Sequence, residues 1–472
     1  MRNDMDVSRR GFLVGGAAAF GSLFGGRLFA APPGWKHGGR PNLVFGIVSD
    51  THLRTARDGL SVDKNYTDRY FLAALQYFRR QNVDAVVHLG DMANNGQVEA
   101  MRFHADAWRK VFPKDRGIDG RKVERLFVTG NHDVEGFRYT KFMEQLIGDP
   151  EERKRHLLVT DMAANWERIW GEPYEEAWHK TVNGYHFFGQ HYPQGKFDAK
   201  KTEAVLAKCR GDATLDDGVR PVFLLTHRRP HLGAMNRAFG PLANTFGFHG
   251  HWHKSATNWN VIRLGDGQFP HVQCPACHSS RGEAFLGMDA YVSKAQIQGG
   301  DWKTWKSRQG YVVKVYDDML AIERCEFDGG VASLGADWVM PLGKRDPHPF
   351  STGELKKAIG EPQFRNGATL EIVKDSASQR LCVKIPFADG NPDSRVYAYE
   401  VEVAGDKAGK KLLKAVYAAG CNMGIGREPD KGVTTLEIPK SELPPGKTLA
   451  IAVRPLSSLG TGGRPMTGEF RV

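Results

Sequence analysis

The sequence has 472 residues, which is too long for one ordinary domain and predicts two folded units with tails. Hydrophobic residues make up 41% and charged residues 25% of the chain, which is the composition of a soluble globular protein. The 65 basic and 54 acidic residues give a net charge of +11, but no long basic run concentrates this charge. We therefore expect no specific nucleic-acid-binding module.

The N-terminus carries a short apolar stretch behind two arginines. Arg9 and Arg10 follow Ser8, and the sixteen residues 11–26 carry no charge. A transmembrane helix needs about 20 apolar residues, so a cleaved signal over residues 1–31 fits this glycine-rich stretch better than an anchor does. The pattern S-R-R-x-F-L resembles twin-arginine export signals. The resemblance implies that the twin-arginine export machinery carries the protein to the periplasm or outside a bacterial cell, without a permanent membrane anchor.

Residues 40–343 alternate short apolar runs with amphipathic segments. Four β-rich runs each stop at a polar residue: NLVFGIVSD, VDAVVHLGD, VERLFVTGN and RPVFLLTH. Two segments between them, YTDRYFLAALQYFRRQ and QVEAMRFHADAWRKVF, have apolar residues at helical spacing. This alternation predicts an α/β fold in which largely buried, mixed or parallel sheets are flanked by helices. A loose polar stretch then predicts a linker over residues 344–362.

The last part of the chain has a different pattern. Seven short strand-like runs are separated by turn residues: ATLEIVK, RLCVKIP, VYAYEVEVA, KLLKAVYAA, VTTLEIP, TLAIAVRP and GEFRV. Such strands with little helical signal are typical of the immunoglobulin and fibronectin type III sandwiches. We therefore predict an all-β sandwich over residues 363–472, as an accessory to the first domain.

Polar side chains follow the four β-rich runs of the first domain and a fifth short apolar run, which leads into GFHGHWH at residues 247–253. Ligands bind beside the carboxyl ends of the strands in such sheets, so residues far apart in sequence converge on one crevice. The candidate site residues are Asp50, His52, Asp91, Asn131, His132, Asp133, His227, His251 and His253. A single D-x-H or H-x-H is more often a turn or a buried structural histidine, but the ordered set predicts a metal site. Histidines and carboxylates without thiolates suit Zn, Mn or Fe.

The order D-x-H, G-D, G-N-H-D, H and G-H-x-H resembles the motifs of the calcineurin-like metallophosphoesterases, over residues 42–340. The resemblance implies a metallophosphoesterase fold and an enzyme that hydrolyses a phosphoester substrate with two divalent metal ions. It implies that one ion is bound by Asp50, His52 and His253, the other by Asn131, His227 and His251, and that both are bridged by Asp91. A hydroxide between the two ions would attack the phosphorus.

The same resemblance implies that His132 is not a metal ligand and donates a proton to the departing alkoxide. Asp133 either orients His132 or caps the turn that follows, and both interpretations stay open on the sequence. Arg228 and Arg229, which follow His227, could reach a substrate phosphate because guanidinium binds phosphate through two N–H groups.

The second motif departs from one branch of the family. Purple acid phosphatases have a metal-binding tyrosine three residues after the aspartate of this motif, where this chain has Asn94. We therefore expect no purple iron site. The segment GDMANNGQVEAM is more similar to the cyclic-nucleotide phosphodiesterase branch, which favours phosphodiesters over monoesters as substrates.

Two alternative functions stay open on the sequence. CPACH, residues 274–278, fits the C-x-x-C-H pattern of covalent haem attachment and would indicate electron transfer. The same thiols could instead form a short disulfide or be buried, and Cys382 and Cys421 could pair within the sandwich. The second alternative is a protein of the same fold that binds metal or a partner but has lost catalysis.

Overall fold

The computed structural model describes residues 38–54, 68–135, 144, 147–265, 269–278, 280, 297–298, 307–343, 350–375, 377–390, 395–406, 411–425, 427 and 433–471. The export signal predicted for residues 1–31 lies outside this part of the chain. Among the described residues, no helix combines the length and apolar character that a membrane span requires.

The first domain contains fourteen described strands. They are β1 (Leu43–Val48), β2 (Ala85–Leu89), β3 (Glu124–Val128), β4 (Ala177–Val182), β5 (Tyr185–Gln190), β6 (Val222–Thr226), β7 (Thr245–His249), β8 (Ile262–Gly265), β9 (Phe269–Gln273), β10 (Ile297–Gln298), β11 (Gln309–Val315), β12 (Met319–Glu326), β13 (Ala332–Ser333) and β14 (Trp338–Pro341). The described helices are α1 (Asp68–Arg80), α2 (Val98–Val111), α3 (Asn131–Val134), α4 (Pro150–His156), α5 (Met162–Trp170), α6 (Ala199–Cys209), α7 (Arg229–Phe239) and α8 (Thr352–Ile359).

Two mixed sheets form this domain. The first has the strand order β13-β12-β11-β1-β2-β3, with β14 on β12, and its strands β1, β2 and β3 run parallel. The second has the order β4-β5-β6-β7-β9-β8, in which β5, β6, β7 and β9 run parallel. The prediction of mixed or parallel sheets is confirmed, with antiparallel partners beside the parallel strands.

The apolar faces of the two sheets pack against each other. Phe45 of β1 meets Phe187 of β5 and Phe223 of β6 edge to face, with ring centroids 5.3 and 5.0 Å away. Because successive strand residues point to opposite faces, Val87 lies in this core while Val86 packs under α1 and α2. Helices α6 and α7 cover the outer face of the second sheet in the same way. The helix-flanked arrangement is therefore confirmed.

The C-terminal region contains the seven predicted strands and two short additional ones. They are β15 (Gln363–Phe364), β16 (Glu371–Asp375), β17 (Arg380–Ile385), β18 (Ala388–Asp389), β19 (Ala398–Gly405), β20 (Leu412–Tyr417), β21 (Thr434–Pro439), β22 (Thr448–Leu456) and β23 (Met466–Arg471). One sheet consists of β16, β17 and β21, and the other places β20, β19, β22 and β23 side by side. A core that includes Val383, Val401 and Val453 lies between them, as a β-sandwich requires.

Residues 344–362, predicted as a linker, contain α8 in their described part. The helix begins at the N-cap Ser351, whose hydroxyl accepts the Glu354 N–H, and it buries Leu355 and Ile359 in the core between the two sheets. This segment therefore packs on the first domain and is not an exposed linker. Burial of its apolar residues, which have helical spacing, removes apolar surface from water and lowers the free energy.

The sandwich is joined to the first domain by backbone pairing and buried hydrogen bonds. β10 pairs in parallel with β20, so a strand of the first domain extends a sheet of the sandwich. The Thr257 hydroxyl donates to the Cys421 carbonyl at 2.7 Å. Gln309 Nε2 donates to the Asn422 carbonyl at 2.6 Å, and its Oε1 accepts the Ala256 N–H at 2.8 Å.

All six cysteines lie in described residues and are free thiols. Cys382 lies on the half-exposed face of β17 whereas Cys421 is buried in the sandwich core, so the disulfide considered for them is not formed. Cys274 and Cys277 are fully buried, and burial raises the pKa of Cys277 to about 12. A haem has no access to these thiols, and the electron-transfer alternative is not supported.

Candidate metal centre

The candidate site lies where five strands of the two sheets end. β1, β2 and β3 are parallel in one sheet and β6 and β7 are parallel in the other, so their carboxyl ends border one crevice. The loops after these strands carry, in strand order, Asp50 and His52, then Asp91, then Asn131, then His227, and finally His251 and His253. The structure brings all seven predicted metal ligands together in this crevice.

Five of the seven candidate ligands have a left-handed backbone, which is uncommon for residues other than glycine. The φ angles are 51° at Asp50, 45° at His52, 54° at Asp91, 74° at His251 and 54° at His253. Hydrogen bonds between loops hold this conformation, since Asp50 donates its N–H to the Gly90 carbonyl and His52 to the Asp91 carbonyl, both at 2.9 Å. Backbone strain of roughly 1–3 kcal/mol per residue is thus concentrated in one place, as is common at functional sites.

The first cluster consists of Asp50, His52 and His253. His253 Nε2 lies 3.1 Å from Asp50 Oδ1 and 3.0 Å from His52 Nε2. The second oxygen of Asp50, Oδ2, accepts the Ser49 hydroxyl at 2.6 Å and the His251 N–H at 2.9 Å. These bonds fix the carboxylate with Oδ1 facing the two imidazoles.

The second cluster consists of Asp91, His227 and His251, with Asn131 beside it. His227 Nε2 lies 3.2 Å from Asp91 Oδ2 and 3.1 Å from Asn131 Oδ1. Its Nδ1 donates to the Leu89 carbonyl at 2.7 Å. This bond fixes the ring so that Nε2 faces the carboxylate and the amide.

Asp91 lies between the two clusters. Its Oδ2 is 3.6 Å from His52 Nε2 in the first cluster and 3.2 Å from His227 Nε2 in the second. Its Oδ1 accepts the His132 N–H at 2.8 Å. One carboxylate oxygen that faces an imidazole from each cluster has the position that a bridging metal ligand needs.

Asp91 and His227 form a buried pair of opposite charge. Burial alone would raise the pKa of Asp91 and lower that of His227, but their mutual attraction and hydrogen bond outweigh it. The pKa of Asp91 therefore lies below its usual range, and that of His227 is raised to about 9. Burial, followed by the charge of His227, lowers the pKa of His251 to about 4. A cation bound between these side chains would replace the His227 proton.

The donor atoms fit two divalent cations. In each cluster three imidazole and carboxylate ligand atoms lie within 4.8 Å of one another. Imidazole nitrogen and carboxylate oxygen suit Zn, Mn and Fe, and neither cluster contains a thiolate among the described residues. The buried Nδ1 atoms of His52 and His253 have no hydrogen-bond partner in the described part of the chain, so their facing Nε2 atoms are the ones oriented by the site.

Two glycines leave room for the carboxylates. A Cβ on Gly250 would overlap the Ser49 hydroxyl and Asp50 Oδ2, and one on Gly130 would overlap the backbone and carboxylate of Asp91. The glycines of G-H-x-H and G-N-H-D are therefore required by the close approach of neighbouring loops.

The family model of the calcineurin-like phosphoesterases matches residues 43–255, a range that contains every candidate ligand. Residues 43–255 are a calcineurin-like phosphoesterase domain. The match agrees with the fold, with the order of the motifs and with the two clusters that they form.

Some solved structures have a similar arrangement at low sequence identity. A dimetal phosphatase from Danio rerio is 14% identical, with a TM-score of 0.35 over 64% of this chain and 100% of its own. A purple acid phosphatase from yellow lupin (Lupinus luteus) is 14% identical, with a TM-score of 0.34 over 65% of this chain and 55% of its own. A Vps29 variant from Entamoeba histolytica is 10% identical, with a TM-score of 0.27 over 64% and 100%. Similarities this low do not bear on activity, and no curated protein matches the sequence.

His132 lies at the edge of the first cluster of the phosphoesterase domain. Its ring centroid is 4.6 Å from that of His52, and its ligand atom lies within 4.8 Å of those of His52 and Asp91. Its Nδ1 donates to the Asn94 carbonyl at 2.7 Å. The carbonyl of Asn94 thus orients the imidazole beside the predicted metal ligands.

Asp133, for which two interpretations were open, binds backbone N–H groups of its own loop and of the neighbouring loop. Its carboxylate accepts three backbone N–H groups, those of Gly130 at 2.8 Å, Ala93 at 2.7 Å and Met92 at 3.3 Å. Burial, followed by the charge of Asp91, raises its pKa to about 7. The catalytic role predicted for Asp133 is not supported by this geometry, because both carboxylate oxygens hold the G-N-H-D loop against the G-D loop.

A buried hydrogen-bond chain behind the site is not evident from the sequence. The Thr51 hydroxyl lies 3.1 Å from His88 Nε2 and 2.8 Å from His104 Nε2. His104 Nδ1 donates to the Ala100 carbonyl at 2.8 Å, and His88 Nδ1 accepts the Gly90 N–H at 3.1 Å. The contacts of the two Nδ1 atoms fix the direction of the hydrogen bonds, so that His88 Nε2 donates to the Thr51 hydroxyl and the hydroxyl donates to His104 Nε2. Burial lowers the pKa of both imidazoles, that of His104 to about 4, and keeps them neutral.

The C-x-x-C-H segment supports the D-x-H loop from behind. Cys277 donates its N–H to the Ser49 carbonyl at 2.8 Å, and His278 donates its N–H to the Asp50 carbonyl at 3.1 Å. The ring of His278 lies 5.8 Å from that of His52. Burial, followed by the charge of His52, lowers the pKa of His278 to about 2. The segment therefore supports the backbone of the candidate metal site.

The two predicted phosphate-binding arginines lie in different surroundings. Arg228 Nε donates to His251 Nε2 at 3.2 Å, which places its guanidinium against the second cluster. Arg229 begins α7, and its charge, after burial, contributes to lowering the pKa of His271 on β9 to about 4. Of the two, Arg228 is the residue that the structure brings to the site.

Proposed function

We propose that the protein is an exported phosphoesterase that uses two divalent metal ions to hydrolyse phosphate esters. The proposal rests on the two histidine–carboxylate clusters that share Asp91 within a calcineurin-like phosphoesterase domain. When bound, two such cations lower the pKa of coordinated water and stabilise charge on the phosphoryl oxygens.

The residues of the chain supply position and a proton. Asp50 and Asp91 are held by backbone N–H donors so that one oxygen of each faces the imidazoles. His132 is oriented through Nδ1, so in the doubly protonated imidazolium form its Nε2 is the nitrogen that would donate a proton to the departing oxygen and leave the neutral ring. Asp133 keeps the loop of His132 fixed against the loop of Asp91.

We further propose that phosphodiesters are preferred over monoesters. The preference rests on the segment GDMANNGQVEAM, which is similar to the cyclic-nucleotide phosphodiesterase branch and has Asn94 where purple acid phosphatases carry a metal-binding tyrosine. The test compares kcat/KM for a diester and a monoester of the same alcohol. A higher value for the monoester would contradict the preference and leave the phosphoesterase assignment intact.

The central experiment removes and restores the metal. Chelation of the purified protein should abolish hydrolysis of aryl phosphate esters, and Mn²⁺, Zn²⁺ or Fe²⁺ should restore it. Asp91→Asn should lose bound metal as well as turnover, because a neutral amide cannot balance two dications. Asp106→Asn on the exposed face of α2 is the matched control. Undiminished hydrolysis by metal-free protein would refute the mechanism, and a metal-loaded protein without phosphoesterase activity would favour the catalytically silent alternative.

We also propose export by the twin-arginine route to the periplasm or medium, which rests on the S-R-R-x-F-L pattern. Changing Arg9 and Arg10 together to Lys keeps the charge but removes the paired guanidinium groups. The variant should stay in the cytoplasm, folded and metal-loaded. Normal export of the double-Lys variant would indicate a general signal, whose basic region needs charge but no specific residue.

A further inference from the structure

Arg228 is held beside the second cluster by two partners. It directly follows His227, is half-buried, and donates from Nε to His251 Nε2 at 3.2 Å. Its terminal nitrogen Nη1 donates to the Tyr192 hydroxyl at 3.1 Å, and its guanidinium lies 5.6 Å from the centre of the Tyr192 ring. A positive charge is thus fixed at the end of the site where His227 and His251 converge.

Tyr192 is itself anchored. Its hydroxyl donates to Glu135 Oε1 at 3.0 Å, and its backbone N–H donates to the Thr129 carbonyl at 3.1 Å. Glu135 follows directly after α3, so the loop that carries Asn131 also fixes the tyrosine that holds Arg228. The guanidinium is therefore positioned by the same loops as the candidate ligands.

The bond between Arg228 and His251 competes with metal binding. A neutral imidazole has one nitrogen with a lone pair, and that lone pair here accepts the Arg228 N–H. If a cation binds Nε2, it takes this lone pair directly. If it binds Nδ1, then Nε2 carries the proton and faces another N–H. In both cases a cation on His251 displaces Arg228 from it.

We propose that Arg228 is a phosphate-binding residue that metal loading releases from His251. The Tyr192 hydroxyl keeps its hydrogen bond to Nη1 of Arg228. The Nε–H that is released from His251 then donates to a non-bridging phosphate oxygen of the substrate. Charge-assisted N–H···O bonds from a planar guanidinium suit this contact. The inference rests on the proposed phosphoesterase function. It adds that Arg228 binds His251 when the second cluster holds no metal and binds the substrate when the metal is present.

The experiment measures binding and not turnover, in the full-length mature protein. Mn²⁺ titration of chelated protein reports on the competition, and titration of inorganic phosphate into Mn²⁺-loaded protein reports on the phosphate contact. Arg228→Met removes both charge and donors, and Arg228→Lys keeps the charge but has no donor at the Nε position. Tyr192→Phe removes only the anchoring hydroxyl. Arg237→Gln, exposed on α7, the helix that begins directly after Arg228, is the matched loss of charge.

We expect Arg228→Met and Arg228→Lys to bind the weaker equivalent of Mn²⁺ about threefold to tenfold more tightly, since a competing hydrogen bond is lost. Phosphate affinity should fall at least tenfold in Arg228→Met, about threefold in Tyr192→Phe, and not at all in Arg237→Gln. Tighter Mn²⁺ binding in Arg228→Met but not in Arg228→Lys would show that charge alone acts, and would overturn the competition.

Unchanged phosphate affinity in Arg228→Met would overturn the phosphate contact. Neither result touches the proposed function, which is judged by chelation-sensitive hydrolysis in the unaltered protein. Conversely, absence of hydrolysis in the unaltered protein would leave the two binding measurements valid as tests of Arg228.

Discussion

His132 and Asp133 are adjacent in sequence, but their side chains contact different parts of the molecule. The imidazole of His132 donates from Nδ1 to the Asn94 carbonyl and lies beside the first cluster. The carboxylate of Asp133 instead accepts backbone N–H groups. The backbone N–H of His132 meanwhile donates to Asp91. A side-chain substitution at His132 therefore separates proton donation from metal binding, because the backbone bond remains.

His132→Ala should keep its metals and lose rate, by about 10²–10⁴-fold for an alkyl phosphate ester whose leaving oxygen needs a proton. The loss should be much smaller for a nitrophenyl ester, because nitrophenolate leaves without protonation. Metal content by elemental analysis and kcat for both esters check the prediction. Equal losses for the two esters would contradict the role of His132 as general acid.

The convergence of the seven candidate ligands on one crevice was predictable from the sequence, because each follows a strand that ends there. The orientation of Asp133 was not, because capping and orienting depend on which neighbouring backbone lies within reach. Thr51, His88 and His104 were also missed. His88 occupies a core position of β2 and His104 a buried position of α2, where a histidine in sequence looks like any buried polar residue.

Among the elements, the loops after the strands are packed so closely that two of them require glycine. Gly250→Ala should push Ser49 and Asp50 apart and lower metal affinity at least tenfold, as displacement of groups that support metal ligands does. Gly233→Ala is the control, because a Cβ on this α7 glycine meets no atom within 4 Å. It should leave metal affinity unchanged and stabilise the helix by up to about 1 kcal/mol. Metal titration of both variants tests the prediction, and equal metal affinities would contradict the need for glycine at position 250.

The loop after β1 is fixed from behind by the Thr51 hydroxyl. Thr51→Val keeps the shape of the side chain but leaves the Nε2 atoms of His88 and His104 buried without their partner, which should cost about 2–4 kcal/mol. Thr51→Ser keeps the hydroxyl and should cost about 1 kcal/mol or less, for the lost methyl group. Urea unfolding at constant metal concentration measures both. If Thr51→Val were as stable as Thr51→Ser, the hydrogen bonds among Thr51, His88 and His104 would contribute nothing to the stability of the protein.

Among the predicted elements, the linker over residues 344–362 differs most from the structure. Its polar composition indicated a free connection, but Ser351 and Glu354 have the spacing of an N-cap pair, and Leu355 and Ile359 have helical spacing. This signal was present in the sequence. Whether these apolar residues are buried depends on the surface that the two sheets leave open, which no local pattern contains.

At the scale of the whole molecule, Gln309 couples the two domains. It binds Ala256 beyond the G-H-x-H loop with one end and the Asn422 carbonyl of the sandwich with the other. Gln309→Met should leave the Ala256 N–H buried without its acceptor and leave the Asn422 carbonyl only the longer contact from the Ser255 hydroxyl at 3.5 Å, lowering the free energy of unfolding by about 1–3 kcal/mol. It should also weaken metal binding, because Ala256 lies three residues after His253. Calorimetry and metal titration test this, with Gln76→Met on the exposed face of α1 as control. An effect on stability without one on metal affinity would separate the domain contact from the site.

The contacts of residues 255–257 with the sandwich have a consequence for the order of synthesis. In the segment after the G-H-x-H loop, the Thr257 and Ser255 hydroxyls obtain their partners, the Cys421 and Asn422 carbonyls, more than 150 residues later in translation. The ribosome therefore finishes all seven candidate ligands long before it makes the groups that hold the last loop in place. A nascent chain of the first domain alone lacks these contacts, so they form only after residues 421 and 422 have been made.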